Sequence, residues 1–235
     1  AEQPLLAVLG PEVAEVFAQL HRDKGVDLRT RTGVKEFVGS GGRVERVALD
    51  NGEQVDADLV IVGIGAAPNT ALAENAGLDV SNGVLTDEYL RTSAPDVYAA
   101  GDIANAYHPL FGERVRVEHW ANARKQGRAA AESMMGIGKP FDAIPYFFTD
   151  QYDLGMEYTG YVNSQGYDEV VFRGDRSSGE FMVFWLRGRA VLAGMGVNVW
   201  DQMPAVAELI RQGAAISTDA LADPSVPLTD IRPGG

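Results

Sequence analysis

Leu59-Val60-Ile61-Val62-Gly63-Ile64-Gly65-Ala66-Ala67-Pro68-Asn69 reads as a strand, a glycine turn and the start of a helix. The uniformly apolar run Leu59 to Val62 predicts a strand covered on both faces, the habit of α/β sheets. Gly63 and Gly65 follow at its carboxyl end, where bare backbone allows a ligand to approach and where open α/β sheets bind ligands. A short helix from Pro68 to Ala76, stopped by Gly77, would aim its free N–H groups toward that edge. The same residues serve equally well as a tight strand-to-helix turn with no ligand. They are not a dinucleotide fingerprint, because G-x-G-x-x-G lacks its third glycine here.

Working upstream, Pro11 to Lys24 predicts a helix with proline in its first turn and Gly25 just past its end. Val13, Val16, Phe17 and Leu20 make one apolar stripe on it. Short β-like runs follow at Val26 to Arg29, Val34 to Val38 and Arg43 to Leu49, with turns at Gly39 to Gly42 and at Asp50-Asn51-Gly52. Helix, strand, β-meander and buried strand, in that order, read as the back half of a nucleotide-binding α/β domain.

Working downstream, Val97 to Ala100 predicts another buried strand, and Ala121 to Met135 a long amphipathic helix ending at Gly136. Past Gly138-Lys139-Pro140 aromatic residues become dense. Antiparallel-type strands are expected at Met156 to Val162, Glu169 to Arg173, Glu180 to Leu186 and Ala190 to Val197, the last two joined by a turn at Arg187-Gly188-Arg189. A helix from Pro204 to Gln212, with Gly213 behind it, closes the pattern.

Composition narrows the function classes. The 235 residues are 46% hydrophobic and 23% charged, which excludes a disordered or fibrous chain. A net charge of −13 excludes general nucleic-acid binding, which needs basic surface. No apolar run approaches the roughly 20 residues that span a bilayer. There is no cysteine, hence no disulfide, thiol nucleophile or cysteine-held metal within the chain. His21, His108 and His119 lack metal-ligand spacing. Met134, Met135 and Met203 read as core fillers.

A second motif carries more chemistry. In Thr92-Ser93-Ala94-Pro95-Asp96-Val97-Tyr98-Ala99-Ala100-Gly101-Asp102 an apolar strand runs into Gly101, and a carboxylate follows. Asp102 there is suited either to accept hydrogen bonds from ribose or polyol hydroxyls or to cap the next turn. The pairing of Val-Gly-Ile-Gly-x-x-Pro-Asn with Thr-Ser-x-Pro-Asp-Val-Tyr-Ala-x-Gly-Asp resembles the FAD-dependent pyridine nucleotide-disulfide oxidoreductase superfamily. The resemblance assigns Asp102 to the ribityl–phosphate portion of FAD and leaves Gly101 to open the approach.

Val117-Glu118-His119-Trp120-Ala121-Asn122-Ala123, followed by Gln126-Gly127, is similar to the flavin-side segment of ferredoxin, rubredoxin and putidaredoxin reductases. So is Pro145-Tyr146-Phe147-Phe148-Thr149-Asp150-Gln151-Tyr152, which opens a reductase-type C-terminal domain. The resemblance implies an α/β portion of a two-dinucleotide-domain flavoprotein followed by an α+β domain with an antiparallel sheet. Its parts are residues 1–66, a remnant of the NAD(P)-binding domain; 67–139, the returning FAD segment; and 140–235, the C-terminal domain. Glu118, His119 and Trp120 would border the flavin, Gly63 and Gly65 would line the crossover between nucleotide domains, and Phe148 either walls the flavin or packs. Trp120 also fits a core anchor, and Asp150 a turn cap. A helix beginning near Trp120 would turn its positive end toward the flavin edge that gathers charge on reduction. Arg124, Lys125 and Arg128 form either a solvated face or a local basic patch for an acidic partner.

The implied activity is that of an enzyme passing electrons from NAD(P)H through FAD to a small acidic, ferredoxin-like iron–sulfur protein, with no residue acting as a catalytic acid or base. The resemblance also implies two upstream glycine-rich fingerprints that this sequence lacks, so FAD and NAD(P)H are expected to bind poorly to this chain alone. Ala1, in place of methionine, then reads as a cut through a larger enzyme. The alternatives are an NAD(P)H oxidase or disulfide reductase of the same superfamily, or a silent chain acting only as an interaction or dimerisation domain. A cytoplasmic setting, no membrane and no metal, and a homodimer complete the expectations.

Overall fold

The structure, a computed structural model, describes residues 2–234; Ala1 and Gly235, and with them the expectation attached to Ala1, lie outside the described residues. The chain forms two compact units, Ala1–Gly65 and Ala66–Gly235.

In the first unit a single helical turn α1 (Leu6–Leu9) leads into α2 (Pro11–Asp23). Proline at the first turn of α2, Glu12 near its positive end and His21 and Arg22 near its negative end match the helix dipole. The helix buries Val13, Ala14, Phe17 and Ala18, while Val16 and Leu20 flank that stripe half-exposed. Strands β1 (Val34–Ser40), β2 (Arg43–Leu49) and β3 (Gln54–Asp56) form an antiparallel meander in the order β1-β2-β3. Two expected strands do not form. Val26 to Arg29 and Leu59 to Val62 carry no ladder, and the second run is largely exposed, with Leu59 at 77% and Ile61 at 88%. An apolar run becomes a strand only when neighbouring strands satisfy its N–H and C=O groups. No such neighbour stands beside Leu59–Val62 among the described residues.

The second unit opens with the short helix α3 (Ala71–Asn75), three residues later than the sequence predicts. Strand β4 (Val84–Thr86) pairs in parallel with β5 (Ala104–His108), which pairs antiparallel with β6 (Glu113–Val115). Val97–Ala100 makes only an isolated bridge, Tyr98 to Arg91, and not a strand. The long helix α4 spans Trp120–Met134. Met134 and Met135, expected in the core, are 61% and 65% exposed at its far end.

A five-stranded antiparallel sheet follows in the order β7-β8-β11-β10-β9: β7 (Tyr146–Gln151), β8 (Leu154–Gly160), β9 (Glu169–Asp175), β10 (Glu180–Arg187) and β11 (Ala190–Val197). The interior strand β10 is buried from Phe181 to Leu186, as its unbroken apolar run requires. Gly188 and Arg189, both with positive φ, turn β10 into β11 at the expected place. Helix α5 (Met203–Gln212) lays Val206, Leu209 and Ile210 on this sheet, and α6 (Thr218–Ala222) adds Leu221. Met203 is buried there as expected. The mixed α/β portion and the antiparallel C-terminal sheet are the architecture that the sequence predicts.

Candidate functional site

Gly101 and Asp102 open a 3-10 turn, Gly101–Ile103, that feeds β5. Gly101 has φ +79, in the left-handed region that suits glycine, and is buried against Ala123 of α4. Its N–H donates to Oε1 of Gln126, 2.8 Å away. Gln126 is 2% exposed and sits on α4 one turn after the buried Asn122, with buried Ala130 a turn further on. This face of α4 therefore presents amides to the turn, and Asn122 Nδ2 donates to the Val117 carbonyl. Asp102 itself is exposed, and among the described residues its carboxylate accepts no protein hydrogen bond. A carboxylate held on a bolted turn with its oxygens free is an acceptor for ligand hydroxyls.

The residues before and at the start of α4 complete the site. His119 is the N-cap residue in extended conformation, and no side chain caps the helix, whose first turn also lacks an acid. The first N–H groups of α4 thus stay open for an electron-rich group. Glu118, His119, Trp120 and Ala121 line a concavity of about 340 Å³ together with Tyr146, Phe147 and Phe148 of β7. Trp120 is 68% exposed and Phe148 57%, so neither anchors a core. The His119 ring lies on Phe147, centroids 4.8 Å apart. Burial lowers the His119 pKa, with Asp102 and Glu118 opposing in part, so the ring is held toward its neutral form. Its buried Nδ1 has no partner among the described residues.

Six of the expected residues, Gly101, Asp102, Glu118, His119, Trp120 and Phe148, therefore belong to the second unit, where α4, its preceding segment and β7 position them. Gly63 and Gly65 belong to the first unit, in the extended and exposed stretch after β3. The basic helix face is smaller than the sequence implies: Arg128 is paired with Glu132 at 2.9 Å. Arg124 instead lies over the Trp120 ring, 4.6 Å from its centroid. Tyr146, quoted in the second reductase-like segment without a role of its own, lines the concavity. Its hydroxyl donates to Glu157 at 2.6 Å, and burial first, then Glu157, push its pKa up to about 12. The signal for Gln126 was present, since Asn122, Gln126 and Ala130 recur at helical spacing.

No group of three or more His, Asp or Glu side chains suited to a metal ion occurs among the described residues. No helix among them is long and apolar enough to cross a membrane.

An exposed carboxylate on a glycine turn, beside an uncapped helix start and an aromatic wall, is suited to hold an electron-rich ligand that carries hydroxyl groups. Residues 1–127 match the family described as pyridine nucleotide-disulphide oxidoreductase, and residues 146–232 match the reductase C-terminal family. The chain belongs to the pyridine nucleotide-disulphide oxidoreductase family. It is 38% identical over 233 residues to putidaredoxin reductase of Pseudomonas putida, covering 98% of this chain and 55% of that protein. The ferredoxin–NAD(+) reductase component of the anthranilate 1,2-dioxygenase system of Burkholderia cepacia is 37% identical, with 93% of this chain and 53% of the relative covered. Among solved structures, the ferredoxin reductase for the CYP199A2 system of Rhodopseudomonas palustris superposes with a TM-score of 0.90 at 31% identity, over 97% of this chain and 56% of that one. The covalent putidaredoxin reductase–putidaredoxin complex gives 0.91 at 38%, over 98% and 55%. The chain spans about half the length of the relatives it matches.

Proposed function

We propose that this chain serves in a flavoprotein reductase that takes electrons from NAD(P)H and passes them through FAD to an acidic, ferredoxin-like iron–sulfur protein. The observation that carries this reading is the free Asp102 carboxylate beside the uncapped start of α4 and the concavity walled by His119, Trp120 and Phe148. FAD, when bound, supplies the redox chemistry, accepting a hydride and releasing electrons one at a time. Asp102 accepts hydrogen bonds from the cofactor's ribityl hydroxyls. The open N–H groups of α4 favour negative charge at the cofactor edge, by up to about 2 kcal/mol in partly buried geometry. Glu118, His119, Trp120 and Phe148 border the ring and keep water from it. No side chain here needs to act as an acid or base.

The remaining parts of the reading concern surface. Gly63 and Gly65 line the approach to the nicotinamide cofactor. The apolar residues Leu59, Ile61, Val62 and Ile64, all exposed in this chain, are covered by polypeptide corresponding to the part of the relatives outside the match. Arg124, steadied on Trp120, and Lys125 receive the acidic partner. A cytoplasmic setting accords with this electron-transfer role.

The test joins this chain to the portion of putidaredoxin reductase that lies outside the match. The purified product should carry near-stoichiometric flavin by its visible spectrum and reduce a ferredoxin with NADH. A folded but colourless product would sink the reading. Asp102→Ala should weaken flavin retention in the same product.

A further inference from the structure

We propose that Arg116 is the positioning residue of this site, fixing Asp102 and Glu118 relative to each other so that both face one ligand. The inference rests on the cofactor reading above and assigns a role to a side chain that does not itself line the concavity.

Arg116 follows β6 and is much less exposed than Glu118, 14% against 43% of the side chain. Its guanidinium reaches three separate segments. Nε donates to Asn82 Oδ1 at 3.2 Å, and Nη1 donates to the backbone carbonyl of Asp102 at 3.1 Å and to Oε1 of Glu118. Asn82 belongs to the turn before β4, Asp102 to the 3-10 turn, and Glu118 to the approach to α4. One planar cation therefore ties together the turn before β4, the 3-10 turn before β5 and the approach to α4, just beyond where the β4–β5 ladder begins at Val84 and Ala104. The Asn82–Gly83 turn presses in from the other side. A Cβ at Gly83 would stand 2.6 Å from the Ile103 carbonyl oxygen and 2.9 Å from Arg116 Cδ, so the close approach is built around a bare glycine.

The consequence concerns charge as well as geometry. The charges of Asp102 and Glu118 both favour the protonated form of His119, against the larger effect of burial. Arg116 bonds the Glu118 carboxylate directly but touches Asp102 only through its backbone. The Asp102 carboxylate is left free to bind, and the like charge of Glu118 is compensated beside it. A planar, multidentate guanidinium is required; lysine provides the charge but not the three simultaneous directions.

Two measurements test this. In the ligand-free chain, Arg116→Gln should raise amide hydrogen exchange about tenfold at Gly101 and Ala123, whose N–H groups are bonded to Gln126 and His119, while the C-terminal sheet keeps its protection. In the flavin-loaded fusion, Arg116→Gln should raise the FAD dissociation constant about tenfold, with Arg116→Lys intermediate, at a temperature where all variants are folded. A merely structural role would lower the melting temperature and leave that constant alone. Unchanged exchange, or an unchanged constant in a flavin-loaded product, overturns the proposal. If Arg116→Gln fails to fold, Asn82→Ala removes one anchor and should move the same two readouts in the same direction, and no change in them overturns it equally. A wild-type fusion that takes up no flavin contradicts the cofactor reading instead, and the exchange experiment then decides the clamp by itself.

Discussion

The backbone N–H of Gly101 donates to the side-chain oxygen of Gln126 across 2.8 Å of buried space, and this bond ties the glycine turn to the middle of α4. Gln126→Leu leaves that N–H without an acceptor in a site closed to water. We expect a loss of about 1–3 kcal/mol, read as a lower urea midpoint with unchanged far-ultraviolet circular dichroism. A midpoint equal to wild type would show that the turn is held by other contacts.

Gly160 ends β8 with φ +125, and a Cβ there would lie 2.4 Å from Ala193 Cα and 2.5 Å from the Leu192 carbonyl oxygen. Both obstacles are backbone of the paired strand β11, so they cannot swing aside. Gly160→Ala should destabilise the C-terminal sheet by about 3 kcal/mol, visible as a lower midpoint in tryptophan fluorescence.

His108 gives the fold a pH dependence. The ring is 4% exposed, stacks on Phe111, and its Nε2–H donates to the Ala143 carbonyl, while buried Nδ1 has no partner among the described residues. Burial, the largest cause, lowers its pKa, with the Ala143 bond and Asp142 opposing. The folded chain therefore binds this proton less readily than the unfolded one. The stability is fully present above the unfolded value of about 6.5 and is lost as pH falls from there through the folded value. The melting temperature should drop between pH 7 and 5, and His108→Gln should flatten that drop. An equal slope in the variant would assign the effect elsewhere.

Tyr146 links the aromatic wall to Glu157. Glu157→Ala should bring the Tyr146 titration down from about 12 without reaching the ordinary value of about 10, because burial is the larger cause. Ultraviolet difference titration, with Tyr146→Phe as the assignment control, measures it.

On the proposed reading, Arg124→Glu in the flavin-loaded fusion should slow electron delivery to an acidic ferredoxin several-fold at low salt. The difference should shrink as salt screens the encounter. A salt-independent difference would argue against an electrostatic docking role.

Much of this was legible along the chain, and the exceptions have one cause. Helices α2, α4 and α5 were readable because proline, glycine and apolar spacing are local signals, and β10 because its apolar run is long. Leu59–Val62 misled because strand formation depends on partners elsewhere, which sequence pattern cannot supply. Met134 and Met135 misled in the same way: an apolar side chain is core only if another element arrives to cover it. The exposure of Trp120 and its stacking with Arg124 could not be read from its motif.

The sequence by itself determined the family and the mixed α/β portion followed by an antiparallel sheet, because these rest on motifs and local patterning. Only the tertiary structure decided that Asp102 stays unpartnered, that Gln126 bolts Gly101, and that Arg116 spans three segments. Those relations join residues 14 to 34 positions apart. They exist because folding brings a planar cation and a buried amide to backbone groups that no periodicity connects.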